Sequence, residues 1–333
     1  MIPAVEATGH AAAGVAAVGL GPSIAASVLQ VVAVLFGGPL LVGLMAKVRA
    51  RAEGRIGAPI RQPLLDVRKL MTKERVHAEH ASVVLSIAPF VVVASAAVAV
   101  AIAPLVATVP ALHHGADLFV VVSLLLMGSV ALALAGLDPG TAFGGMGSSR
   151  AMAIGALAEP ALLVAVLALS IQAGTSNLPA IVSATLAHPA WVASPQRLLA
   201  LVALVVVVLA ETGRIPVDNP STHLELTMIH EAMVLEYAGP ELALVTLGEA
   251  MRLGLLFSLV ANLFFPWGIA TTASVPRLLL GLAVLGAKTA AIAVAVSLLE
   301  IRTAKLRLFR VPELLAGGFV LAVLAVITGL VTR

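Results

Sequence analysis

Residues 82–106 read Ser-Val-Val-Leu-Ser-Ile-Ala-Pro-Phe-Val-Val-Val-Ala-Ser-Ala-Ala-Val-Ala-Val-Ala-Ile-Ala-Pro-Leu-Val, twenty-five positions without one charged side chain. About 20 such residues wound as a helix cross the hydrocarbon core of a bilayer. Seven further stretches repeat the pattern, at roughly 23–46, 117–137, 151–173, 197–215, 241–264, 277–300 and 312–331, and the apolar run 11–20 offers an extension of the first. Backbone groups in lipid must be satisfied within their own segment, and these long runs lack the alternation of barrel strands. The expected fold is therefore all-α: a polytopic transmembrane bundle of about eight spans, one transmembrane domain over 1–333.

Composition excludes the soluble alternative. The 333 residues are 60% apolar and 11% charged, with a mean hydropathy of +1.09. Soluble domains are roughly 45–50% apolar and about 25% charged. The chain has no cysteine, which excludes disulfides, thiolate-bound iron–sulfur clusters, a cysteine-ligated nickel–iron centre and cysteine zinc sites. The net charge of +3 does not point to nucleic acid, because the basic residues are spread over loops between apolar segments. Met1–Gly21 holds no Lys or Arg, so no cleavable signal peptide is expected.

Loop charges predict the orientation. Lys47, Arg49, Arg51, Arg55, Arg61, Arg68, Lys69, Lys73 and Arg75 lie between spans 1 and 2. Arg150, Arg214, Arg302, Lys305, Arg307 and Arg310 fall in the other odd-to-even loops, fifteen in all, against Arg197 and Arg277 near the opposite loops. The positive-inside rule puts the fifteen in the cytoplasm and both termini outside. The expected setting is the inner membrane of a prokaryotic cell. Trp191 and Trp267 fall in the outer loops, where interfacial anchors belong. The 28 glycines and many alanines suit close helix packing in lipid, with compositional bias as the other reading.

Seven of the seventeen acidic residues crowd into 211–249: Glu211, Asp218, Glu225, Glu231, Glu236, Glu241 and Glu249. Glu159, Glu211, Glu249, Arg252, Lys288 and Glu300 fall within spans, where a charge near the bilayer centre costs about 2.5–3.5 kcal/mol on insertion scales. Such groups face protein or water and mark ion or proton routes. Glu211 and Glu300, near span ends, have snorkelling as an equal alternative. Glu159 precedes Pro160, and a kink there opens a small hydrated gap or leaves an incidental, inward-paired carboxylate. Glu249 and Arg252, three apart, share a helix face and can pair. Lys288 reads either as a proton-exchanging group or as a buried partner for Glu249 or Glu159.

His230-Glu231 begins like a metalloprotease helix, but the second ligand position is Val234. His223 and His230 therefore read as polar surface or proton relay rather than a zinc site. Gly144-Gly145-Met146-Gly147, placed between spans, reads as a flexible turn and not a phosphate loop.

The stretch Glu211-Thr212-Gly213-Arg214-Ile215-Pro216-Val217-Asp218-Asn219-Pro220, followed by His223-Leu224-Glu225-Leu226, His230-Glu231 and Glu236-Tyr237-Ala238-Gly239, resembles the signature of the complex I subunit 1 family. The branch it resembles most contains formate hydrogenlyase subunit 4 and its hydrogenase-4 relatives. Lys47–Glu74, with Arg55-Ile56-Gly57-Ala58-Pro59 and Gln62-Pro63-Leu64-Leu65-Asp66, resembles the family's first cytoplasmic loop. Ser149-Arg150 with Ala158-Glu159-Pro160 resembles its fourth span, and Glu300–Leu315 the hydrogenase branch near its last span. The resemblance runs from about 45 to 315.

It implies a membrane foot for a peripheral redox arm, with no catalytic residue and no cofactor on this chain. The nickel–iron centre and iron–sulfur clusters would sit on hydrogenase large and small subunits, beside antiporter-like membrane subunits. The implied proton pathway is Glu159, Glu211, Asp218, Glu225, Glu231, Glu236, Glu249 and Lys288. The implied charge partners and docking residues are Arg150, Arg214, Tyr237, Arg252, His223, His230, Arg55 and Asp66. The basic loop 47–81 and the acidic loop 214–240 offer complementary docking surfaces. Gly213 and Val217 stand where the quinone-reducing members have Asn and Phe, which makes a quinone site the alternative. That alternative requires an amphipathic tunnel near spans 1 and 5–6. A stand-alone cation/proton antiporter would show inverted repeats, and a passive anchor would tolerate neutral replacements of its buried charges.

Overall fold

The computed structural model describes residues 20–76, 78, 81–110, 115–218, 229–306 and 310–332. His223 and Glu225 lie outside the described residues, as does most of the apolar run 11–20. In chain order the helices are α1 (Leu20–Ala52), α2 (Gln62–Met71), α3 (Val83–Ile102), α4 (Leu118–Leu137), α5 (Ala142–Ala173), α6 (Leu178–Ala187), α7 (Pro195–Glu211), α8 (His230–Val234), α9 (Gly239–Phe264), α10 (Val275–Arg302) and α11 (Val311–Val331). Every regular element among the described residues is helical, as the unbroken apolar runs require.

Seven of the eight expected spans, α1, α3, α4, α5, α9, α10 and α11, are long and apolar enough to cross a membrane. The fifth expected span is shorter than its sequence suggested. Helix α7 has 17 residues, about 26 Å at 1.5 Å per residue, against a core of about 30 Å. It stops at Glu211 rather than 215 because Gly213 takes φ +56°. Gly213 N–H donates to Ala210 O at 3.1 Å and Arg214 N–H to Leu209 O at 2.9 Å, the two bonds of a Schellman cap.

A second correction concerns Gly144–Gly147, which is not a flexible turn but the first turns of α5. Thr141 caps that helix by accepting from Gly144 N–H. The glycines are there for contact: a Cβ on Gly144 would strike Gly136 O, and one on Gly147 would meet the Ala232 methyl at 2.8 Å.

Helix α9 is the central element, buried at every position from 250 to 264 and packed against α1, α3 and α10. Small residues admit its neighbours. A Cβ on Gly38 of α1 would collide with the Ala250 carbonyl, and one on Gly248 of α9 would meet Val92 of α3 at 2.6 Å. The outer faces of α1, α10 and α11 leave Phe36, Leu279, Leu280 and Val320 exposed, as a lipid-facing surface requires.

Contacts sort the connections into two ends. At one, Ser82 N–H donates to Asp138 Oδ2 at 2.6 Å, Leu306 N–H to Pro216 O at 2.9 Å, and Arg49 and Arg214 converge on Glu300. This is the basic end. At the other, Asn262 Nδ2 donates to Leu105 O at 2.6 Å and Thr108 N–H to Ala270 O at 2.9 Å. Arg197 is wholly buried there, donating to Gln172 Oε1 at 2.7 Å, Thr185 Oγ1 at 2.7 Å and Leu263 O at 3.3 Å. The odd-to-even loops thus gather at one end, as alternating spans demand.

Candidate functional site: a charge-lined cavity

A cavity of about 540 Å³ opens between α1, α2, α4, α5, α7, α8 and α9. Most of its wall is apolar, including Pro39, Val42, Pro63, Leu126, Ile229 and Met233. Against these stand Glu159, Glu211, Arg214, Asp218, His230, Glu231, Glu249 and Arg252. The volume lies within the range of about 300–1,000 Å³ usual for ligand sites.

Arg252 anchors the charged wall. It reaches from α9 to form an ion pair with Glu211 Oε2 at the end of α7, both side chains less than a tenth exposed. Its Nη1 donates to Ser129 Oγ of α4 at 2.5 Å. The sequence expectation of a pair with Glu249 one turn away is corrected: the ion pair is made across helices with Glu211, because the guanidinium points toward α4 and α7. Glu249 and Glu159 still lie within electrostatic reach of the same cation. Glu159 Oε1 and Arg252 Nε are buried without a hydrogen-bond partner among the described residues. Three carboxylates around one guanidinium leave surplus acceptors, which water, protons or a cation can occupy.

Toward the basic end the wall continues through the Schellman turn, which aims Arg214 inward. Arg214 Nη1 lies 3.9 Å from Glu300 Oε1, and Arg49 Nη1 lies 3.5 Å from Glu300 Oε2. Burial pushes the Arg214 guanidinium below the usual arginine range, with Glu300 opposing the shift and Arg49 adding to it. Asp218 pairs with Lys305 at 3.3 Å and accepts from His230 N–H at 3.4 Å. These bonds tie Asp218 to the connection after α10 and to the start of α8.

Seven of the eight expected pathway positions are among the described residues and can be placed relative to this cavity. Glu159, Glu211, Asp218, Glu231 and Glu249 line it. Lys288 does not: its Nζ donates to Phe265 O at 2.5 Å and Asn262 Oδ1 at 3.3 Å, at the far end of α9. It is therefore no partner of Glu249 or Glu159. Glu236 follows α8, outside the cavity wall. Of the expected charge partners, Arg214, Arg252 and His230 line the cavity. Tyr237 is buried beneath α3, its hydroxyl donating to Leu85 O at 2.9 Å. Arg55 pairs with Glu53 on the exposed connection after α1. Asp66 accepts from Gln62 within α2 at 2.8 Å, and Arg150 sits in α5 outside the wall. Sequence reasoning missed Ser129, a neutral serine with no periodic signal, and the Arg49–Glu300–Arg214 cluster, whose members are far apart in the chain.

The fold and this cavity define a multi-pass membrane protein with a buried set of charged groups between its helices. Residues 24–331 match the family described as NADH dehydrogenase, and the chain belongs to that family. It is 33% identical over 296 residues to hydrogenase-4 component C of Escherichia coli strain K12, covering 89% of this chain and 92% of that protein. It is 29% identical to formate hydrogenlyase subunit 4 of the same organism, covering 92% and 97%. NADH-quinone oxidoreductase subunit 8 of Rhodothermus marinus is 28% identical over 70% of each chain. In three dimensions the chain resembles one from the membrane-bound sulfane sulfur reductase, an archaeal respiratory membrane complex, with a TM-score of 0.79 at 23% identity over 92% of this chain and 98% of that one. That likeness supports the fold.

Proposed function

We propose that this chain is the membrane-anchoring and coupling subunit of an energy-converting hydrogenase complex. Its basic end docks a peripheral redox arm bearing the nickel–iron and iron–sulfur centres. Its buried carboxylates begin a proton path toward antiporter-like membrane partners. The observation that carries this reading is the Glu211–Arg252 pair with Glu159 and Glu249 beside it, at the inner wall of a cavity that reaches the basic end. A charge change at the arm alters proton occupancy among carboxylates that share one cation. The relatives support the hydrogenase branch, because hydrogenase-4 component C and formate hydrogenlyase subunit 4 align over nearly their whole length. In this reading the basic end faces the cytoplasm of a prokaryotic cell, as the fifteen basic residues suggest. Replacing Glu159, Glu211 and Glu249 singly by Gln and measuring proton translocation beside hydrogen production tests the path. Unchanged coupling in all three variants removes it.

One observation favours a second reading, a quinone-binding subunit of a complex I-type enzyme. The amphipathic cavity that reading needs is present, lined by α1, by α2 and by Glu211, Thr212, Gly213, Arg214, Val217 and Asp218. Gly213 does not count against it. At φ +56° the position favours Gly first and Asn next, so the departure from the quinone-reducing pattern preserves the turn. The apolar lining suits a ring and tail, with His230, Glu231 and Asp218 as the polar residues near the basic end. Quinone co-purifying with the complex, or inhibition by quinone-site inhibitors, would favour this reading.

A further inference from the structure

Among the described residues, six buried side-chain atoms lack a hydrogen-bond partner, and five of them belong to four charged groups: Glu159 Oε1, Arg252 Nε, Arg214 Nε and both oxygens of Glu300. The first three groups line the cavity, and Glu300 stands directly behind Arg214. Unpartnered atoms on buried neutral groups already carry a penalty. On ions in a protein interior they are costly, and they are ordinarily satisfied by ordered water. These atoms belong to groups on one cavity wall and to the carboxylate that faces Arg214, where ordered water can satisfy them.

Glu300 sits at the basic end of that set, beside the partly exposed Arg49. Its side chain is fully buried at the last turns of α10, yet neither oxygen accepts a direct hydrogen bond. One oxygen faces Arg49 of α1 at 3.5 Å, a side chain 18% exposed at the basic end. The other faces Arg214 at 3.9 Å, a side chain 7% exposed in the cavity wall. Those separations are long for charge-assisted bonds, which run about 2.7–2.9 Å, and they leave the carboxylate free to bond water on both sides. The remaining charges nearby are already committed, Asp218 to Lys305. Snorkelling, the alternative for a span-end carboxylate, does not describe a side chain with no exposed surface.

We infer that Glu300 is the proton-exchanging carboxylate through which the cavity takes up protons from the basic end, by water between Arg49 and Arg214. The inference rests on the coupling function proposed above and adds its entry. A proton arrives on one Glu300 oxygen from water at the Arg49 side and leaves from the carboxyl group to water at the Arg214 side. The carboxylate is regenerated, and no covalent bond to carbon forms or breaks. The two flanking guanidinium groups hold the carboxylate in place.

The experiment uses the whole complex in proteoliposomes, with a reduced viologen dye as electron donor, hydrogen formation as the measure of turnover, and an entrapped pH dye for protons. Glu300→Gln is expected to leave hydrogen formation running while protons moved per hydrogen fall about 100-fold, the lower end of what a positioned acid–base group contributes. Glu300→Asp, which keeps an ionisable group on the same water, is expected to retain most of the coupling. The double variant Arg49→Gln, Glu300→Gln preserves net charge and carries the same expectation should the single variant not assemble. Full coupling in either glutamine variant overturns the inference. Glu211→Gln separates the two claims. Loss there with full coupling in Glu300→Gln sinks the entry route alone, and full coupling in both, with Glu159→Gln and Glu249→Gln also unchanged, sinks the coupling reading itself.

Discussion

Arg252 of α9 holds Glu211, the last residue of α7, and Ser129 of α4 at once, so one guanidinium joins three helices at the inner wall of the cavity. Removing it leaves Glu211 buried beside Glu159 and Glu249 with no cation in contact. Breaking such a buried pair costs about 3–5 kcal/mol. Arg252→Ala should accordingly lower the thermal unfolding midpoint in detergent sharply. The double variant Glu211→Gln, Arg252→Ala should recover part of the loss, with a coupling of about 0.5–3 kcal/mol.

The α1–α9 contact depends on a missing side chain. Gly38 abuts the Ala250 carbonyl, whereas a Cβ on its neighbour Gly37 would meet nothing within 4 Å. Gly38→Ala should destabilise by about 1–3 kcal/mol through overpacking, and Gly37→Ala should stay within about 0.5 kcal/mol of the parent. Unfolding midpoints of the pair, measured side by side, decide this.

Gly213 makes a separate prediction about the turn that delivers Arg214. A left-handed residue other than Gly or Asn costs roughly 1–2 kcal/mol. Gly213→Asn should keep coupled turnover near the parent level, and Gly213→Ala should reduce it, because the Schellman cap then opens and Arg214 leaves the cavity wall. Equal activity in the two variants would remove the cap from the account.

Tyr237 is the chain's one tyrosine, which makes its ionisation readable by absorbance. Burial raises its pKa above the ordinary tyrosine value, with Glu241 and Asp138 adding to the shift. The folded state therefore binds the phenolic proton more tightly than the unfolded state. This contribution to stability is complete below the unfolded pKa of about 10 and is lost as pH rises above it. The tyrosinate band should stay absent near pH 10 in the folded protein and appear together with unfolding at higher pH.

The helical architecture was legible because lipid imposes length and apolarity on each span, a constraint visible in 82–106 without any partner. The acidic stretch 211–249 was legible for the converse reason, that charge in such a setting is conspicuous. The partners were not. Ser129 is a neutral residue inside an apolar run, and Arg49, Arg214 and Glu300 meet only once α1, α10 and the turn after α7 are packed. Spacing along one helix suggested Glu249 for Arg252, but the direction of the guanidinium chose Glu211. Lys288 shows the same limit, since its depth in the sequence of span 7 did not reveal that α9 ends beside it. The length of α7 was missed because the apolar run continues past the glycine that ends the helix.

The central claim is that the carboxylate held by Arg252 moves protons in step with redox turnover, and Glu211→Gln tests it most directly. In proteoliposomes holding the assembled complex, protons translocated per hydrogen formed should collapse while hydrogen formation continues. A Glu211→Gln complex that forms hydrogen and translocates protons at the parent ratio would contradict the account.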